Sequence, residues 1–302
     1  MPRQFVCPDC GTTTDGASEN AEPAGSCPHC GKVMTVSSVA ERTYKRERAA
    51  WGCLSVFVLM MILIPFVDIL GMLLASLLPS VQSARESGRY ATCANNLKRI
   101  ASAMQRYYQT HGCFPPAFIP DETGKPKHSW RVLILPYLGE SEVYARYDFD
   151  EPWNSLRNMA FANQMPRLYR CPSDPSADRS LTSYAMVVGP QAVSDGPTSR
   201  RLSDIRDGIM NTIMVVENVN AEFNWLEPRD LNTKDMAFRV NAFRGSPREA
   251  GTAISSRHPG LANVLFCDGT VRLIAETMDE KAVKALLTID GGEAITARDL
   301  DP

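Results

Sequence analysis

The sequence has no marked excess of either charge: 32 Lys and Arg stand against 34 Asp and Glu, a formal net charge of −2. General nucleic-acid binding needs a strong basic excess, so that class of function is excluded and no nucleic-acid partner is expected. Several catalytic signatures are also missing. No nucleophile elbow, H-E-x-x-H or phosphate loop occurs in the 302 residues. Disorder is excluded too, because 44% of the residues are hydrophobic and 22% charged. One small module plus one domain of about 200 residues fits this length.

Cysteine is absent from long stretches and concentrated at one end. Four of the nine fall in the first 30 residues, and the others stand at 53, 93, 113, 171 and 267. This asymmetry points to two uses of sulfur and to two redox compartments.

The first group reads Cys7-Pro8-Asp9-Cys10, sixteen residues, then Cys27-Pro28-His29-Cys30. Two C-x-x-C knuckles at this separation match a closed four-thiolate zinc site, with two disulfides as the competing use. Gly11 and Gly31 follow each pair and supply backbone freedom. So short a module has too little core to fold unaided, and one structural zinc ion is expected to stabilise residues 1–40. His29 is not needed, because four thiolates already fill the shell. A basic linker follows over 41–51, with Arg42, Lys45, Arg46 and Arg48.

From Leu54 to Leu78 the chain is mostly Leu, Ile, Val, Met and Phe. At 1.5 Å rise per residue this run is long enough to span a bilayer, so a transmembrane helix is expected over 52–78. Its start more than fifty residues in argues against a cleaved secretory signal. Pro65 removes one backbone hydrogen bond and is expected to kink the helix near Met61. Asp68 is costly near the midplane, which leaves two readings: it faces a partner or water, or an otherwise apolar helix tolerates it. Basic residues flank both ends, so they do not decide orientation. A zinc–thiolate site prefers a reducing compartment, which places the N-terminus in the cytoplasm and the larger domain outside it.

Beyond Pro79, apolar or small residues recur at Val81, Ala84, Gly88, Ala91, Leu97, Ile100 and Met104 and at Tyr107 or Tyr108. Steps of three and four predict an amphipathic helix, ended by His111-Gly112 and Pro115-Pro116. Further on, Ala262–Phe266 and Thr270–Ile274 flank Asp268-Gly269, the signal for a hairpin with a primed turn. Ile213–Val216 reads as a buried strand after an Asp207-Gly208 turn, and Thr277 to Glu280 has capping-box form before a helix to about Leu287. One long helix with several antiparallel strands is an α+β design.

Several segments resemble one bacterial family: LLPSVQSARE (77–86), CANNLKRI (93–100), YYQTHGCFPP (107–116), SWRVLILPYL (129–138) and YRCPSDP (169–175). The likeness continues through TSYAMVVGP (182–190), IRDG (205–208), NTI (211–213) and HPGLANVLFCDG (258–269). These are similar to the pilin-like proteins grouped as domain of unknown function 1559. The resemblance implies a type IV pilin or type II secretion pseudopilin architecture, with a long N-terminal helix on an antiparallel sheet outside the inner membrane. The likeness covers about residues 74–276; the domain is expected at 79–290, with 291–302 as a tail. The family's prepilin signal is not matched. Its glycine and glutamate positions fall at Phe57 and Ile62, so processing into a filament subunit is not expected.

His258, Asp268, Asp207 and Glu217 are the candidates for a metal or acid–base site. Turns account for Asp268, with Gly269, and for Asp207, and His258 before Pro259-Gly260 reads as a loop residue bonding backbone. Loop carboxylates holding calcium cannot be placed. Four outer cysteines allow three complete pairings; Cys113 with Cys171 is one candidate bridge. The expectation is a non-catalytic, inner-membrane-anchored pilin-like protein that contacts lipid and unknown protein partners on both sides. A membrane-tethered module for a small ligand or envelope polymer, and a hydrolase using His258, are the alternatives.

Overall fold

In a computed structural model, residues 4–7, 9–15, 24–220, 222–241 and 253–293 are described; most of the expected tail, 294–302, lies outside them. The chain forms two compact units, Met1–Ser80 and Val81–Pro302.

In the first unit, two short antiparallel hairpins each carry one C-x-x-C knuckle. Gln4–Val6 pairs with Thr13–Asp15, and Ala24–Ser26 with Val33–Thr35. Helix α1 begins at Val36 and runs to His111. The expected linker at 41–51 is therefore helix, because α1 starts directly after the second hairpin. It also continues unbroken through Pro65 and Pro79. Large apolar side chains are exposed on every side of α1 from Phe57 to Leu73, with Pro65 and Asp68 exposed among them. Among the described residues no helix is long and apolar enough to cross a membrane.

In the second unit, Gly112 takes φ +72° and ends α1 where the sequence placed the stop. The buried stripe is shorter than its periodicity suggests. Val81, Ala84, Gly88 and Ala91 are exposed; burial starts at Cys93 and continues through Asn96, Leu97, Ile100, Ala103 and Met104. Small residues satisfy the helical period without bringing enough surface to be worth covering. Leu97, Ile100 and Met104 pack with Trp130, Tyr184, Met186 and Leu265 on one face of a five-stranded sheet.

The sheet runs in the order Leu231–Asn232, Tyr184–Val188, Ile213–Glu217, Leu261–Phe266, Val271–Ala275. The Leu231–Asn232 strand is parallel to its neighbour and the other pairings are antiparallel. Alternation along Tyr184–Val188 sends Tyr184 and Met186 toward α1, and Ala185 and Val187 to the opposite face. There they meet Val283, Leu286 and Leu287, from and just after a short helix at Glu280–Ala285. Its N-cap is Asp279, whose carboxylate accepts from Lys281 N, and not Thr277, which lies two residues too early.

The Asp268-Gly269 hairpin is present, but its turn is not primed. Gly269 has φ +86° whereas Asp268 does not enter the positive-φ region. Gly269 N donates to Phe266 O and Phe266 N to Thr270 O, the bonding of a three-residue loop with a glycine bulge. Asp268 itself accepts from Thr270 N and Oγ1.

One buried ion pair organises the core. Arg131 NH2 donates to Asp230 Oδ1 at 2.7 Å with both side chains sealed from water. Asp230 also accepts from Trp130 Nε1 and Met186 N, while Arg131 donates to the Tyr184 carbonyl. Burial pushes the Asp230 carboxyl up despite the Arg131 charge beside it.

Candidate functional site

Among the described residues, two clusters of chemistry-bearing side chains occur, one in each unit. The first is the pair of knuckles. In each, the glycine after the second cysteine takes positive φ, +71° at Gly11 and +76° at Gly31, and donates back to the carbonyl of the first cysteine. The repeated turn aims both sulfurs of each pair at a common point. Cys7 and Cys30 Sγ lie 3.6 Å apart, as do Cys10 and Cys27, and all four lie within 4.8 Å of one another. A tetrahedral ion with metal–sulfur bonds of about 2.3 Å sets its sulfurs roughly 3.8 Å apart, so the four thiols are close enough to bind a metal. His29 is exposed and outside the group. Without a cation the thiols compete for protons. Hydrogen bonds from Thr12 hold Cys10 down to about 6; Cys30, despite the Lys32 backbone, is driven up to about 12 by the neighbouring cysteines.

The second cluster was only half legible in the sequence. Cys93, on the first buried turn of α1, is disulfide-bonded to Cys171, with Cα atoms 5.3 Å apart. Cys113, the partner named from sequence, is a free thiol, and so is buried Cys267. Against the bridge lies His258, only 3% exposed. Its Nε2 is 3.5 Å from Cys171 Sγ and 3.9 Å from Glu217 Oε1. Its Nδ1–H donates to Glu86 Oε1 at 2.8 Å. His258 is thus a loop residue as expected, but its ring is buried and bonded to side chains rather than to backbone.

Each partner is held in turn. Glu86 accepts from Arg89 Nε and NH2 and from Ser173 Oγ. Burial alone would raise its pKa, but the hydrogen bonds from His258, Arg89 and Ser173, with the Arg89 charge, bring it below the ordinary value. Glu217 is fully buried at the end of its strand and accepts from Asn263 N and Nδ2. Its carboxyl is raised by burial, more than these hydrogen bonds lower it. Tyr90 stands edge-on to the His258 ring at 5.1 Å, and burial lifts its phenol to about 12.

Of the four acid–base candidates, His258 and Glu217 are brought together. Asp268 is at the hairpin turn, beside Thr270 and Arg272. Asp207 accepts from Thr288 Oγ1, Gly291 N and Gly292 N, fixing the segment after the last helix. Glu86 escaped notice because it sits on the polar side of α1, among Arg85 and Arg89.

Comparison with known proteins bears on this second unit. The family described as Protein of unknown function (DUF1559) matches residues 82–200 and 182–281, together about two thirds of the chain. The chain belongs to the DUF1559 family. The buried cluster of Cys93, Cys171, Glu217 and His258, and Glu86 beside it, fall inside the matched residues, whereas the four N-terminal cysteines precede them. Neither the curated proteins nor the solved structures contain a match.

Proposed function

We propose that this DUF1559 protein is a non-catalytic, pilin-like protein of the bacterial inner membrane, with its N-terminus in the cytoplasm and its family domain outside. The observation that carries the reading is the division of its sulfur chemistry. Residues 7–30 hold four free thiols grouped as for a metal, and the family domain holds a buried disulfide. Thiolate sites persist under reducing conditions and structural disulfides under oxidising ones, so a membrane between the two accounts for both. Zinc is the ion the N-terminal group fits best, and its closed shell assigns it a structural role in docking a protein partner.

The apolar surface of α1 supports the anchor. Fourteen large apolar side chains between Phe57 and Leu73 are exposed around the whole helix, a distribution water does not tolerate on a free helix. These seventeen residues rise about 25 Å, short of the roughly 30 Å hydrocarbon core, and the sequence continues apolar to Leu54 and Leu78. Against a hydrolase, both ring nitrogens of His258 already face partners, Nδ1 the Glu86 carboxylate and Nε2 the sulfur of Cys171.

The test is topology in whole cells. Protease added to spheroplasts should degrade the family domain and leave an N-terminal tag protected until the membrane is lysed. A tag cleaved in intact spheroplasts, or a chain recovered in the soluble fraction, sinks the reading.

A further inference from the structure

We propose that Cys93, Cys171, Glu217 and His258 form a redox-gated site for a divalent metal such as zinc, closed by the disulfide and opened by its reduction. The four residues are all buried and offer one sulfur, one sulfur, one carboxylate oxygen and one imidazole nitrogen within 4.8 Å of one another. A zinc ion with bonds of about 2.0–2.3 Å sets its ligand atoms roughly 3.3–3.8 Å apart. Cys171 Sγ and His258 Nε2 already stand at 3.5 Å, and His258 Nε2 and Glu217 Oε1 at 3.9 Å. Two thiolates, an imidazole and a carboxylate are a donor set that zinc accepts.

The surroundings are those of a metal-bound histidine. A ligating imidazole donates its second N–H to a carboxylate, which fixes the tautomer and aims the lone pair. Glu86 takes the Nδ1–H of His258 and is itself clamped by Arg89, which turns Nε2 toward Cys171 Sγ. Glu217 is steadied by two bonds from Asn263. A disulfide alone has no need of an oriented imidazole and a buried carboxylate beside it.

Opening the site is thiol–disulfide exchange. A dithiol donor attacks the bridge, the Cys93–Cys171 bond breaks, and two electrons and two protons pass to the protein sulfurs as the donor becomes a disulfide. The metal ion then displaces the two thiol protons. Bridge and metal are mutually exclusive, because the same sulfur electrons serve both.

The experiment uses the full chain in detergent and Co²⁺ as probe. The protein is compared as purified and after anaerobic reduction by excess dithiol, with the reductant removed before titration. Reduction should add one equivalent of cobalt, with a new thiolate-to-metal charge-transfer band. His258→Gln leaves all four N-terminal thiols in place and should erase that added equivalent. An equal cobalt count before and after reduction of the wild type overturns the proposal. So does an increment that survives in H258Q, which would assign it to the N-terminal thiols.

Discussion

Glu86 and His258, 172 residues apart in the chain, meet through a 2.8 Å hydrogen bond that ties the exposed start of the domain's helix to the loop before the Leu261–Phe266 strand. Because one partner is ionised and the other nearly sealed from water, truncating either should cost more than an ordinary surface pair. A double-mutant cycle of Glu86→Gln and His258→Ala, read by denaturant unfolding, should give a coupling of about 1.5–3 kcal/mol. Additive effects would mean that the two rings of contacts are independent.

The two glutamates of the cluster should answer pH with opposite signs. Glu86 is held below its ordinary 4.5 in the folded domain, so its contribution is present above 4.5 and lost as pH falls through the lower folded value. Glu217 is raised, so its contribution is present below 4.5 and lost as pH rises through the folded value. In the oxidised protein, E86Q should flatten the acid limb of the stability profile, and E217Q should remove the decline above pH 4.5. Unfolding midpoints taken across pH 3–8 check both.

Cys93 and Cys171 close a loop with a sequence separation of 78. Loop-closure entropy assigns such a bridge about 4.5 kcal/mol. The C93A/C171A variant should therefore lose several kcal/mol in urea, with the transition still cooperative. A loss below about 1 kcal/mol would show that packing around Leu97 and Ile100 already fixes the helix.

Arg131 and Asp230 form a pair whose partners are both buried, so each single removal strands a charge. Arg131→Met and Asp230→Asn should each destabilise by about 3–5 kcal/mol, and the double substitution by less than their sum. Equilibrium unfolding of the three variants measures this.

Gly269 is required on two grounds. Its φ of +86° is disfavoured for any side chain, and a Cβ there would run into Gln105, which donates to the Asp268 carbonyl. Gly269→Ala should cost about 1–2 kcal/mol, partly recovered by adding Gln105→Ala, as read by thermal melting.

What the sequence disclosed was what local pattern can encode. Paired C-x-x-C spacing announced the four-thiol group, His111-Gly112 the end of α1, and Asp268-Gly269 a hairpin. Its turn type was misjudged because Asp268 bonds Thr270 and leaves the left-handed position to Gly269 alone. The stripe from Val81 to Ala91 has the right period but too little apolar area to be covered. Nothing in local pattern joins Arg131 to Asp230, Glu86 to His258, or Cys93 to Cys171, since their separations of 78 to 172 residues are set by the sheet. The last two of those pairings are where the second site lies.

The bridge also decides how the domain carries force. Cys93 stands on the first buried turn of α1, so tension arriving along the helix from its exposed side meets a covalent stop before it reaches Leu97, Ile100 and Met104. With the bridge intact, a pull cannot peel the helix from the sheet turn by turn. Reduction removes the stop and leaves the apolar contacts to resist alone.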